Sequence, residues 1–188
     1  VARPRKISDE DLMAACGRAI GRHGPGFTLA QAAAEAGVAV GTVAGRFGSK
    51  QALLRAMMAT GGATVAPRMH AAAARHDDPV AAIIAATLVT TEGVDDPSTT
   101  QNHLAQLGID LADPTLRPGL ATLRAAVHEV LTTLFAAAAL PGAPPPTQAA
   151  RIIATMANGA LLDWALNPTG RVADLLTADL LSVLQSWR

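Results

Sequence analysis

The sequence predicts an all-α fold, and three observations carry that expectation. Half of the 188 residues are apolar, alanine is the commonest of them, aromatics make up only 3% and tyrosine is absent. Such a core suits helices whose backbones approach closely over small side chains. Apolar residues recur at three- and four-residue spacing between Gly, Pro and Asp punctuation, and no segment alternates with the two-residue period of a half-buried strand. No repeat of fixed period appears, which disfavours a solenoid.

Each element has a local reason. Ser8 followed by Asp9, Glu10 and Asp11 is an N-cap with acids in the first turn, opening a helix whose apolar side is Leu12, Ala15, Cys16, Ala19 and Ile20. Gly24, Pro25 and Gly26 stop it. Thr28 with Gln31 three residues on predicts a capping box for a short second helix that Gly37 ends. A third helix is expected from about Ala39 to Phe47, and Gly48 and Ser49 recap the chain for a fourth carrying Leu53, Leu54, Met57 and Met58. Beyond Thr60 the expected helices are Ala63 to His76, Pro79 to Thr91, Thr99 to Leu111, Leu116 to Leu140, Thr147 to Leu166 and Val172 to Trp187. The proline-rich run Pro141 to Pro146 is a semi-rigid connector before the last two.

Charge divides the chain where the pattern does. The formal net charge is zero, but residues 1–60 hold eight basic side chains against four acidic ones, so a +4 segment precedes a −4 remainder. A basic module on a mildly acidic body suits phosphate binding at one end, and equally a solvated surface. Thr28 to Phe47 also meets the demands of two short helices crossing steeply. Ala33 is small at the crossing, Gly37 supplies the turn, and Val38, Val43 and Phe47 pin the second helix.

The run FTLAQAAAEAGVAVGTVAGRFGSKQALLRAMM resembles the DNA-binding region of the TetR (tetracycline-repressor-like) family of bacterial regulators. That family's usual pattern is a Thr-led helix with Ile-Ala-x-x-Ala-Gly-Val, then Ser-x-Gly-x-Leu-Tyr-x-His-Phe and Ser-Lys-x-x-Leu-Leu. Ala33, Ala36, Gly37, Val38, Gly41, Thr42, Phe47, Ser49, Lys50, Leu53 and Leu54 match it, and the likeness covers about the first 58 residues. The resemblance implies that Thr42 contacts a phosphate or base edge, that Lys50 holds a phosphate at a helix start, and that Arg46 reaches a phosphate or a guanine edge. Thr28 and Gly41 complete the polar and close-approach positions. Where the family has Ser, Tyr and His, this chain has Ala39, Ala44 and Gly45, so a phosphate-contacting tyrosine is missing. Val40 and Ala44 are then the side chains left to face the groove, where a thymine methyl is their natural partner. The arm Arg3, Pro4, Arg5, Lys6 would compensate by entering the minor groove or following phosphates, or would simply be a solvated tail.

In the body, the last two expected helices carry wide apolar stripes. Ile153, Met156, Ala160 and Trp164 on one, with Leu176, Leu180, Val183 and Trp187 on the other, are the expected dimer seam, although the same stripes would serve as intramolecular core. His70, Thr87, Asn102, His103, Gln106, Leu107 and His128 are the expected lining of an apolar effector chamber, or else solvent-facing or structural groups.

Other chemistry lacks its residues. No serine sits in a strained G-x-S-x-G turn, the five histidines are dispersed, and no phosphate-loop or dinucleotide glycine pattern follows a strand. Apolar runs are interrupted before the roughly 18 residues of a membrane span. The lone Cys16 falls on an apolar stripe and reads as a buried structural thiol.

The expectation is therefore a helix-turn-helix DNA-binding domain at 1–50 with a basic arm, and a helical effector-binding and dimerisation domain at 51–188. Together they make a cytoplasmic, homodimeric, non-enzymatic regulator, a repressor released from a pseudo-palindromic duplex operator by a small apolar or amphipathic effector, with no metal, cofactor or membrane partner. The alternative is a ligand- or partner-binding helical module whose DNA reading has degenerated.

Overall fold

Side-chain caps open five of the helices in the computed structural model, which describes residues 7–94 and 96–188. Ser8 accepts from the Asp11 amide at 3.0 Å to start α1 (Asp9–His23), and a 3-10 turn at Gly24–Gly26 follows. The expected capping box forms at α2 (Leu29–Glu35): Thr28 Oγ1 accepts from the Gln31 amide at 3.2 Å, and Gln31 Oε1 accepts from the Thr28 amide at 2.8 Å. A cap of this kind is worth about 1 kcal/mol. Gly37, at φ 66°, makes the turn into α3 (Val40–Phe47). Ser49 caps α4 (Lys50–Ala73), Asp78 caps α5 (Pro79–Leu88), and Asp96 caps α6 (Pro97–Ala112). Prolines sit in the first turns of α7 (Arg117–Ala138) and α8 (Pro146–Leu166), where a missing N–H costs nothing. The last helix is α9 (Val172–Ser186).

The sequence expectation of a break near Thr60 to Gly62 is corrected: α4 runs unbroken through Gly61, Gly62 and Pro67. A Cβ at Gly62 would lie 3.8 Å from the Leu123 backbone, so the glycines are where α4 and α7 approach closely. Packing against α7 offsets their poor helix propensity.

Two apolar cores share this helix. Leu53, Leu54 and Met58 join Leu12, Cys16, Ile20, Phe27 and Val43 in an N-terminal core that Leu116, the residue before α7, closes. Val65, Met69 and Ala73, further along α4, belong to a body core with Ile83, Leu131, Ile153, Leu176 and Leu180. The expected division after residue 50 falls at the start of a helix whose first turns pack in the N-terminal core. Among the described residues, α7 is the one helix long and apolar enough to cross a membrane, though Arg124 and Glu129 interrupt it. It packs against α4, α5 and α8, with Val130 and Leu131 in the body core. Cys16 is fully buried, and burial pushes its thiol up to about 12.

Candidate DNA interface and effector cavity

The helix-turn-helix rests on α1. Val43 of α3 is fully buried, and Val38 and Phe47 are half-buried against the N-terminal core, as the spacing requires. The opposite side of α3 is open. Val40 is 50% exposed, Gly41, Thr42 and Gly45 are exposed, and Ala44 is half-buried. A Cβ added at Gly41 or Gly45 would meet nothing within 4 Å, so nothing inside the fold calls for glycine at either position. Thr28 is exposed, with its hydroxyl engaged in the capping box.

The two described cations expected to reach DNA, Arg46 and Lys50, are both engaged within the chain. Arg46 Nη1 pairs with Asp9 Oδ1 at 2.7 Å, tying α3 to α1. Lys50 Nζ donates to the Pro25 carbonyl and sits 4.4 Å above the Phe27 ring, so it is half-buried under the 3-10 turn, not presented at the start of α4. The cause is electrostatic: a cation at a helix N-terminus is repelled by the local dipole, and a carbonyl and an aromatic face lie within reach. Arg18 and Arg22 both pair with Glu35 at the end of α2. Among the described residues of the N-terminal region, Arg55 is the cation with neither an ion pair nor a hydrogen bond, and it is exposed on α4. Arg3, Arg5 and Lys6 lie outside the described residues.

The body holds a partly open cavity of about 880 Å³ between α4, α6, α7 and α8, lined also by Thr87 of α5 and by residues of the 89–94 segment that follows it. Of the residues expected there, Thr87, His103 and Leu107 line it. The others are corrected. His70 is exposed on α4, and Asn102 faces the other way, its Nδ2 donating to the Gly21 carbonyl at 2.7 Å. Gln106 is buried with its Nε2 donating to Asp110 Oδ1 at 2.7 Å, while its own Oε1 has no partner among the described residues. His128 is half-buried and does not line the cavity, its Nε2 likewise without a partner among the described residues. Burial, then Arg124 and Arg151 nearby, holds the His128 imidazole below its usual range, and burial alone does so for His103. The spacing of single polar residues on a helix places them on a face but does not say which neighbour that face meets.

The charged lining was missed. Arg68, Arg117 and Arg124 reach the cavity with a single acid, Glu92. Arg68 pairs with Glu92, Arg117 donates to the Leu111 carbonyl at 2.9 Å, and Arg124 Nη1 donates to Asn158 Oδ1 at 2.9 Å. In the sequence these arginines look like solvated helix positions, and only the crossing of α7 with α8 turns Arg124 inward.

The helix α6 stands between the two regions. Thr100, His103, Leu104 and Leu107 form one cavity wall. Thr99 and Asn102 press on α1 and its 3-10 turn so closely that a Cβ at Gly21 would lie 2.8 Å from Thr99 Cγ2, and one at Gly24 would lie 2.8 Å from Asn102 Oδ1.

The expected dimer seam is also corrected. Ile153, Ala160, Trp164, Leu176 and Leu180 are buried within the chain, and Met156, Val183 and Trp187 are half-buried against the same core. Trp187, for example, packs edge-on against Phe135 at 5.8 Å. The stripes on α8 and α9 face α5, α7 and each other. The exposed apolar side lies opposite. On α8 it runs Thr155, Gly159, Leu162, Leu166, with Leu162 50% and Leu166 69% exposed; on α9 it includes Leu175 and Leu181.

The family model described as bacterial regulatory proteins, tetR family, matches residues 12–57. No curated protein matches the sequence. Solved structures extend the likeness over the whole length. A transcriptional regulator from Rhodococcus sp. Rha1 is 22% identical with a TM-score of 0.70, over 95% of this chain and 97% of that one. NemR of E. coli in its reduced form is 17% identical with a TM-score of 0.71, over 93% and 96%. A TetR-family transcriptional regulator from Streptomyces coelicolor is 20% identical with a TM-score of 0.65, over 95% and 92%. At these identities the likeness is one of fold.

Proposed function

We propose that this chain, whose residues 12–57 match the model of the tetR family of bacterial regulatory proteins and whose fold is that of solved transcriptional regulators, is a DNA-binding regulator of that family that works in the cytoplasm as a homodimeric repressor. In this reading the open side of α3 enters the major groove of each half-site, and an effector in the body cavity releases the operator. The observation that carries the DNA reading is the pair Gly41 and Gly45. Each costs α3 up to about 1 kcal/mol relative to alanine, and with open space beside both the fold gains nothing in return. Close approach of a backbone to a large partner would account for both glycines.

Val40, Thr42 and Ala44 are the side chains that would then meet base edges, with thymine methyls the natural targets of the apolar two. With Arg46 and Lys50 engaged by partners within the chain, phosphate attraction would fall to Arg55 and the basic arm, Arg3, Arg5 and Lys6. Two copies joined through the exposed leucines of α8 and α9 would present two such helices to half-sites roughly 34 Å apart.

Release would run through α6. A ligand that presses on His103, Leu104 and Leu107 displaces the helix on which the end of α1 is packed, and so changes the spacing of the two α3 helices. It shifts the equilibrium only by its differential affinity for the two geometries. The test is fluorescence anisotropy with duplexes from around its own coding region, in competition with random duplex at two salt concentrations. If no fragment outcompetes random duplex, the repressor reading is lost and a ligand-binding module with degenerate DNA reading takes its place.

A further inference from the structure

The lining of the body cavity is charged in one sense. Three arginines reach it and a single glutamate answers them, while burial holds the His103 imidazole below its usual range. The arginines are not equivalent. Arg68 is neutralised by Glu92 and is exposed, and Arg117, also exposed, is held by main-chain carbonyls at the rim. Arg124 is half-buried and its described hydrogen-bond partner is neutral, the Asn158 carbonyl oxygen. Asn158 is fixed in turn by donating to the Ala154 carbonyl at 2.6 Å. A guanidinium has five N–H donors in a planar fork, so most of those on Arg124 stay available for a bidentate acceptor. The wall around this point is aliphatic: Val65, Leu104, Leu107, Leu123, Val127 and Leu161.

We propose that the cavity takes an anionic amphipath, its carboxylate head on Arg124 and its hydrocarbon tail among these aliphatic side chains. A half-buried cation facing neutral partners pays for its desolvation only when an anion arrives, and the apolar wall rejects an anion that lacks a tail. A cationic or neutral amphipath of the same length gains the wall but not the head. The assignment rests on the effector reading for its choice of cavity, and it is tested without DNA.

Isothermal titration of the full chain with laurate, methyl laurate and dodecyltrimethylammonium, each below its micellar concentration, separates head from tail. Laurate is expected to bind at least 10-fold more tightly than the ester and more tightly still than the cation. Arg124→Gln is expected to weaken laurate by about 10-fold or more and to leave the ester unchanged, which also reports that the variant is folded; Arg124→Lys should recover part of the loss. Equal binding of laurate and the ester by the wild-type chain, or tighter binding of the cation, overturns the proposal whether or not any variant folds. So does an equal loss of laurate and ester in Arg124→Gln. Laurate that binds as expected but leaves operator affinity unchanged upholds this assignment and removes the effector reading instead.

Discussion

Arg46 Nη1 lies 2.7 Å from Asp9 Oδ1, so the one arginine of α3 is committed to α1 instead of projecting from the open side of its helix. Both partners are partly solvated, and such a pair contributes less than about 1 kcal/mol. Asp9→Asn should therefore leave the midpoint of urea unfolding nearly unchanged while freeing Arg46. The expected result is tighter binding to random duplex and a log K against log salt slope steeper by about one counterion. An unchanged slope would mean that Arg46 stays out of reach of DNA even when released.

Lys50 is held from two sides, by the Pro25 carbonyl and the Phe27 ring. Lys50→Met removes both while keeping most of the apolar stem. It should lower stability by about 1–2 kcal/mol, read from chemical denaturation. Its effect on the salt slope of DNA binding should be well under one counterion. A full unit lost from that slope would restore the phosphate role that the sequence resemblance implies.

Gly41→Ala and Gly45→Ala should separate folding from recognition. Added methyls meet open space in the free protein, so each change should stabilise by about 0.5–1 kcal/mol through helix propensity and unfolded-chain entropy. If DNA approaches these positions closely, the same variants lose operator affinity. Paired measurements of thermal midpoint and anisotropy should move in opposite senses, and a gain in both would remove close approach as the reason for the glycines.

Leu166→Glu and Leu162→Glu should have little effect on the fold of a single chain, since both side chains are largely exposed. In a dimer closed through this side they would bury a charge against a neighbour. Sedimentation should then report a monomer, with affinity for a two-site duplex falling to that for one site. Trp164→Ala, on the buried side of the same helix, should instead destabilise the chain itself, by about 3–5 kcal/mol.

Asp110 carries a pH signature. It is buried, and burial raises its carboxyl above the ordinary value against the lowering effect of the Gln106 amide, with Asp113 adding to the rise. A carboxyl raised in the folded state costs stability above that folded value. The cost disappears as pH falls through the folded value and below the ordinary value of about 3.9. Asp110→Asn should stabilise the protein at neutral pH, and the gain should shrink as the medium is acidified toward pH 4. A gain that grew on acidification would contradict the sign.

Much of this was legible along the chain because it depends on neighbours a few residues apart. The Thr28–Gln31 capping box, the Ser8 and Ser49 caps, the Gly37 turn and the apolar pins Val38, Val43 and Phe47 each involve groups within one or two helical turns. The continuity of α4 was not legible, because the helix survives Gly61 and Gly62 through its packing on α7, more than fifty residues away.

By itself, then, the sequence determined the helical class, the capped starts of α1, α2 and α4, the helix pair α2–α3 and the resemblance of its N-terminal region to a family of regulators. Those rest on backbone propensity and short-range hydrogen bonds, which residue order specifies directly. Only the tertiary structure decided what each helix face meets. It turned the stripes of Trp164 and Leu180 into the chain's own core and left Leu162 and Leu166 outside, closed Arg46 and Lys50 onto internal partners, and brought Arg124 to Asn158 at the cavity wall. Periodicity records that a face is apolar or that a residue is charged; which surface or counter-charge lies opposite is set by how distant helices cross.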